Sequence, residues 1–219
     1  IAFDDNQNIY REKPNWKEMG IHARGRVHKI PCVYRSTIEI SEFASRFIRS
    51  ESGKTGKPKT DQHELLSEFS DFHGPKPEIN PFQNFEEITG YVGEKIREIV
   101  NAEDCPYSEF DILYAMNNPG KFLKASLPQM IVSTLESKVF LSSWVSENYR
   151  SKKAYDITTN SVTISTIHSV KGFDYSTVFL LGLDFLEPNV CTEKQINNLV
   201  YFAVTRARYL LIIPHIRNN

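Results

Sequence analysis

Several features that would place a chain in a specialised class are scarce or missing here. Only three cysteines, Cys32, Cys105 and Cys191, occur in 219 residues, far apart and odd in number. They argue against a disulfide framework, and no CxxC or Cys/His spacing suggests zinc, so no metal ligand is assigned and a reducing, cytoplasmic setting is expected. Positive charge is not in excess: 26 Lys and Arg face 27 Asp and Glu, for a net charge of −1. No field of the whole chain draws in nucleic acid, and phosphates must be held by a local patch. No run of about eighteen apolar residues and no charged-then-apolar leader is present, so neither a membrane span nor a membrane partner is expected. Internal repeats and low-complexity tracts are absent.

A phosphate-cradling loop is missing too. Gly53-Lys54-Thr55 imitates the end of GxxxxGK[ST], but Ile48 stands where the first glycine is needed, and no strand precedes it. The surrounding stretch, 49–62, is polar and rich in Gly and Lys, and reads as a mobile loop.

What is present is ordinary for a globular chain: 40% hydrophobic and 24% charged residues, in a length that suits one domain. Hydrophobic periodicity alternates between strand and helix types. Val27 to Tyr34 reads as a strand, followed by a helix carrying Ile40, Phe43, Ala44, Phe47 and Ile48 on one face. Ser36 and Glu39 stand in the capping-box relation, placing its start near Thr37. Asn84 and Glu87 cap a second helix with Ile88, Val92, Ile96 and Ile99 at helical spacing. Asp111 to Ala115 reads as a buried strand and Ala125 to Leu135 as helix, while 137–150 is ambiguous. Val162 to Thr166 and Thr177 to Leu181 are strands, Thr192 with Gln195 caps a further helix, and Tyr209 to Ile213 is the last strand. Strands alternating with amphipathic helices predict an α/β fold with a mainly parallel sheet flanked by helices. Polar clusters in such folds are expected at the carboxyl ends of the strands.

Four polar segments stand out. Asp4-Asp5-Asn6-Gln7-Asn8-Ile9-Tyr10 follows Ile1-Ala2-Phe3, which reads as a strand end and implies sequence upstream. Gln7 could bond a terminal phosphate or its attacking water, Tyr10 offers a stacking face, and the stretch could equally be a polar turn. Tyr34-Arg35-Ser36-Thr37 sets a guanidinium at a capped helix start, where anions are favoured; a surface ion pair is the plainer account. Thr166-Ile167-His168-Ser169-Val170-Lys171-Gly172-Phe173-Asp174 packs hydroxyl, imidazole, ammonium and carboxylate groups between two strands, a density more typical of sites than of turns. Tyr201 to Arg208 ends a helix with Arg206 and Arg208 two apart, so that one can face the sheet edge while the other is solvated.

In order, FDDNQNIYRE, CVYRS, TIHSVKGFDYSTVFLLG and YFAVTRARYLLII resemble motifs III, IV, V and VI of the UvrD/Rep-type superfamily 1 DNA helicases. The resemblance is dense over 1–48 and 160–213. It divides the chain into a motif III segment (1–12), motif IV (30–40), the loop 49–62, and motifs V and VI (162–213), all within one second RecA-like domain, 1–219. About 110 residues separate motifs IV and V, which implies a compact version without a large inserted subdomain. Asp4 replaces the family's glycine, Glu12 an aromatic, Val33 an asparagine and Asp174 a glutamate.

The resemblance implies the C-terminal motor domain of an ATP-dependent helicase, a P-loop NTPase of the DNA-repair kind that translocates 3′ to 5′ on single-stranded DNA. ATP and Mg2+ would be held mainly by the first RecA-like domain of the same polypeptide, and this chain alone would not hydrolyse ATP. Gln7, Arg35 and Arg206 would serve catalysis at the γ-phosphate. Asp174, Gly172 and Lys171 would contact the nucleotide, and Thr166, His168 and Tyr10 the DNA. An RNA-directed helicase and a non-hydrolysing binding module are the alternatives.

Overall fold

The computed structural model describes residues 36–49, 72–116, 125–170, 172–186 and 192–217. Gln7, Tyr10, Arg35, Lys171 and nearly all of the 49–62 loop therefore lie outside the described residues, as does the strand read at 27–34.

The sheet is built on its middle. Strand β2 (Phe110–Tyr114) is buried at every position, the pattern of a strand covered on both faces. It lies between β4 (Val162–Thr166) and β5 (Tyr175–Leu181), and the full order is β1-β6-β5-β2-β4-β3. The remaining strands are β1 (Glu78–Phe82), β3 (Ser142–Trp144) and β6 (Ala207–Ile216). All five pairings are parallel. Parallel neighbours need crossovers, and most here contain a helix. Helices α2 (Phe85–Glu103) and α3 (Leu127–Ser137) lead from β1 to β2 and from β2 to β3. Both pack against Ile112, Ile164 and Phe179 on one face. Helices α1 (Ile38–Arg49) and α5 (Glu193–Val204) pack on the other face, against Leu113, Val178 and Leu211. The short α4 (Tyr149–Ala154) joins β3 to β4. Helices α2 and α3, which cross in one direction, share a face, and α5, which crosses back, lies on the other, as right-handed connections require. Each fully buried Ile, Leu or Val of these two layers contributes about 1.5–3 kcal/mol.

The structure places the α/β reading on firm ground and corrects it in detail. Helix α5 begins as expected: Thr192 Oγ1 accepts from Gln195 N at 3.3 Å, and Gln195 Oε1 accepts from Thr192 N at 2.9 Å. Asn84 likewise accepts from Glu87 N at 2.9 Å. The expected Ser36–Glu39 box does not form. Thr37 Oγ1 instead accepts from Ile40 N at 3.4 Å, Ser36 Oγ donates to Ala207 O at 2.7 Å, and Glu39 accepts from Gly74 N at 2.9 Å. The cap therefore falls on Thr37, while Ser36 and Glu39 are taken by tertiary partners. Within 137–150, β3 forms a three-residue edge strand before the start of α4. Strand β1 has no counterpart in the sequence reading. It is an edge strand containing Pro81, with Ile79 53% exposed, so its alternation lacks a buried apolar face to announce it.

Candidate functional site

Strand direction sorts the polar segments onto opposite edges of the sheet. Strand β4 ends at the carboxyl edge with Thr166, while β5 starts at the amino edge with Tyr175, and β2 lies between them. Residues 167–174 must therefore carry the chain back across the sheet.

At the carboxyl edge Thr166 is half-buried and held from two sides. Its backbone N–H donates to Ser146 Oγ at 3.1 Å, and its hydroxyl donates to Ser169 Oγ at 2.9 Å. Ser146 also meets Tyr114 Oη at 2.6 Å, and that oxygen accepts from Trp144 Nε1 at 3.0 Å. Ser146, Tyr114 and Trp144 carried no signal in sequence, because each is an ordinary residue at a strand end. His168 follows, half-buried, and burial holds its pKa below the usual histidine range. At neutral pH it is an uncharged imidazole that bonds rather than attracts.

At the amino edge stands Arg206, 1% exposed. Helix α5 runs back against the strand direction, so its last turn ends where β6 begins. This overturns the expectation that the polar clusters share the carboxyl ends. Arg206 Nε donates to Phe202 O at 3.2 Å, Nη1 to Phe173 O at 3.2 Å and Nη2 to Thr205 Oγ1 at 3.4 Å. Its guanidinium carbon lies 4.5 Å from the centre of the Phe202 ring, a cation–π distance. Its own carbonyl accepts from Tyr175 N at 3.0 Å, so Asp174, one residue earlier, borders the same turn. Ser36, which follows Arg35 in sequence, is anchored to Ala207 O, and Thr37 N donates to Arg208 O at 3.0 Å. Arg208 is not on the helix but in β6, partly exposed and paired with Glu109. Gly172 adopts φ +101°, a conformation that side chains rarely tolerate, and that need explains a glycine there.

Beneath the crossing segment lies a buried polar layer. Asp111 is fully buried on β2; Ser165 Oγ donates to its Oδ1 at 3.3 Å, while Oδ2 has no hydrogen-bond partner. Burial raises its pKa well above the carboxylate range, which favours the neutral acid. Tyr155 Oη meets Thr163 Oγ1 at 2.8 Å and Tyr175 Oη at 3.0 Å, and its ring stands edge-on to Phe173. Among the described residues no group of three His, Cys, Asp or Glu side chains converges to hold a metal, so none is assigned to Mg2+. Nor, among them, is any helix long and apolar enough to cross a membrane.

The all-parallel six-stranded sheet and its flanking helices define a compact RecA-like α/β fold, with polar clusters at both edges of the sheet. Residues 140–218 match the family model of the UvrD-like helicase C-terminal domain, which bears out the resemblance in motifs V and VI. The chain is similar in fold to the C-terminal domain of a possible DNA helicase from Lactobacillus plantarum WCFS1. The two share 14% identity over 84% of this chain and 87% of that one, with a TM-score of 0.54. No curated protein matches the sequence.

Proposed function

We propose that this chain is the second motor domain of an ATP-dependent helicase that moves on single-stranded DNA 3′ to 5′. The observation that carries the reading is the segment 167–174. It starts beside Thr166 at one rim and ends at the other, where Phe173 O accepts from Arg206. A nucleotide brought to the amino rim by a first RecA-like domain would meet Arg206, Asp174 and Gly172, with Lys171, Arg35 and Gln7 supplied by the sequence motifs. Phosphoryl transfer needs positive charge at the γ-phosphate, and arginines delivered across a cleft raise rates about a thousandfold or more. Recruiting Arg206 disturbs its bond to Phe173, and the same segment then shifts Thr166 and His168 against the strand. Hydrolysis and grip are thus tied through one short piece of chain.

ATP and Mg2+ would bind mainly to the first domain, which leaves this chain half of an active site. The 219-residue chain alone is expected to bind an ATP analogue weakly in calorimetry and to release no phosphate with or without DNA. Robust turnover by the chain alone would overturn the half-site reading. Equal stimulation of the joined domains by RNA would redirect the substrate assignment.

A further inference from the structure

We propose that helix α4 forms a second contact for single-stranded nucleic acid, continuing the carboxyl rim beyond Thr166; this rests on the reading of that rim as the strand-binding side. The anchor is Ser146, whose hydroxyl accepts from Thr166 N at 3.1 Å. Tyr149 follows three residues later, within about 10 Å of chain, and the residue is 79% exposed. Arg150, Lys152 and Lys153 follow, all exposed.

The helix is short but fixed at its start. Asn148 accepts from Arg150 N and Ser151 N, each at 2.9 Å, and Glu147 Oε2 accepts from Ser151 Oγ at 2.9 Å. Tyr149 lies three and four positions before Lys152 and Lys153, and Arg150 three before Lys153, so ring and cations share neighbouring faces. Like charges at that spacing cost an isolated helix a few tenths of a kcal/mol per pair. Glu147 is the one acid between residues 142 and 155, and it bonds to Ser151 rather than to these cations. The chain as a whole carries −1, yet this stretch carries three cations against one acid. A polyanion with exposed bases matches both features: phosphates meet the cations, and a base stacks on the ring. The patch also supplies the local positive charge that the whole-chain balance denies.

The test is anisotropy of a labelled oligothymidylate with the 219-residue chain, titrated at several salt concentrations. Tyr149→Leu is expected to weaken binding roughly five- to hundredfold with an unchanged salt slope, since one base stack is lost. Tyr149→Phe keeps the ring and should bind like the parent. Arg150→Gln, Lys152→Gln and Lys153→Gln combined should flatten the plot of log affinity against log salt by about 2, roughly 0.7 for each cation lost. Circular dichroism and melting would identify a variant that fails to fold, and the Phe variant then still reads the ring. If all α4 variants bind like the parent while His168→Ala weakens binding, the α4 contact is wrong and the rim assignment survives. If the unaltered chain does not bind at low salt, both are wrong.

Discussion

The two rims of the sheet are built on different principles. At the amino rim Arg206 and Ser36 are buried: Arg206 is enclosed by Phe202, Phe173 and Thr205, and Ser36 is tied to Ala207. At the carboxyl rim Thr166 and His168 are half-open, and Tyr149 stands in solvent. A buried guanidinium holds its geometry but must be recruited, whereas open hydroxyls and rings can bind a passing strand without rearrangement. On the proposed reading, the enclosed amino rim would act as the switch and the open carboxyl rim as the track.

The largest expected effect therefore belongs to Arg206. With the domain joined to its nucleotide-binding partner, Arg206→Ala should lower DNA-stimulated phosphate release about a thousandfold or more. Because the side chain also bonds three protein oxygens, the same variant should melt earlier, losing about 1.5–3 kcal/mol or more with charged hydrogen bonds removed. Arg208→Ala is the control for a rim charge that is partly exposed and paired only with Glu109; its stability should change by less than about 1 kcal/mol. Equal losses of hydrolysis in both variants would erase the distinction between a recruited arginine and a surface pair.

A smaller effect tests the polar layer between the rims. Folding raises the Asp111 pKa, so the folded state holds the proton more tightly than the unfolded chain. The stability this group contributes is full below its unfolded pKa, about 3.9, and is lost as pH rises through the folded value. Asp111→Asn escapes that loss. It should be more stable than the parent at pH 7, because it cannot ionise in the buried site, with the gap narrowing towards pH 4. Urea denaturation at both pH values measures it, and a destabilised Asn variant would mean that the carboxyl is a required part.

The smallest effect lies on the amino side but away from the proposed site. Val139 ends α3 at φ +64° with 89% exposure. A β-branched residue gains nothing there to offset about 1–2 kcal/mol of left-handed strain. After the extra entropy of an unfolded glycine, Val139→Gly should stabilise by roughly 0.5–1 kcal/mol and leave nucleic-acid binding untouched. A fall in stability would show that the side chain packs against something.

Much of this was legible in the sequence, for identifiable reasons. Strand β4 falls at Val162–Thr166 as its β-branched, alternating VTIST pattern implies, and the Thr192–Gln195 pair starts α5, because both signals are local. Ser36 was misassigned because its partner, Ala207, is 171 positions away. Composition cannot place Arg206 at the amino rim, because strand direction decides where a returning helix ends. Asp111 was read inside a buried strand, yet nothing in DILYA discloses an acid with an orphaned oxygen. Helix α4 begins in the ambiguous stretch 137–150 and runs past it to Ala154, and it went unread because an exposed six-residue helix has no apolar face to repeat.

The most direct test of a two-rim motor is the ratio of DNA-stimulated to unstimulated phosphate release in the joined domains, measured beside single-strand affinity for His168→Ala and Arg206→Ala. The account predicts that His168→Ala loses strand affinity and its ratio falls towards one. Arg206→Ala should lose hydrolysis with strand affinity retained. The reverse pattern, strand affinity lost through Arg206 and kept through His168, would contradict it.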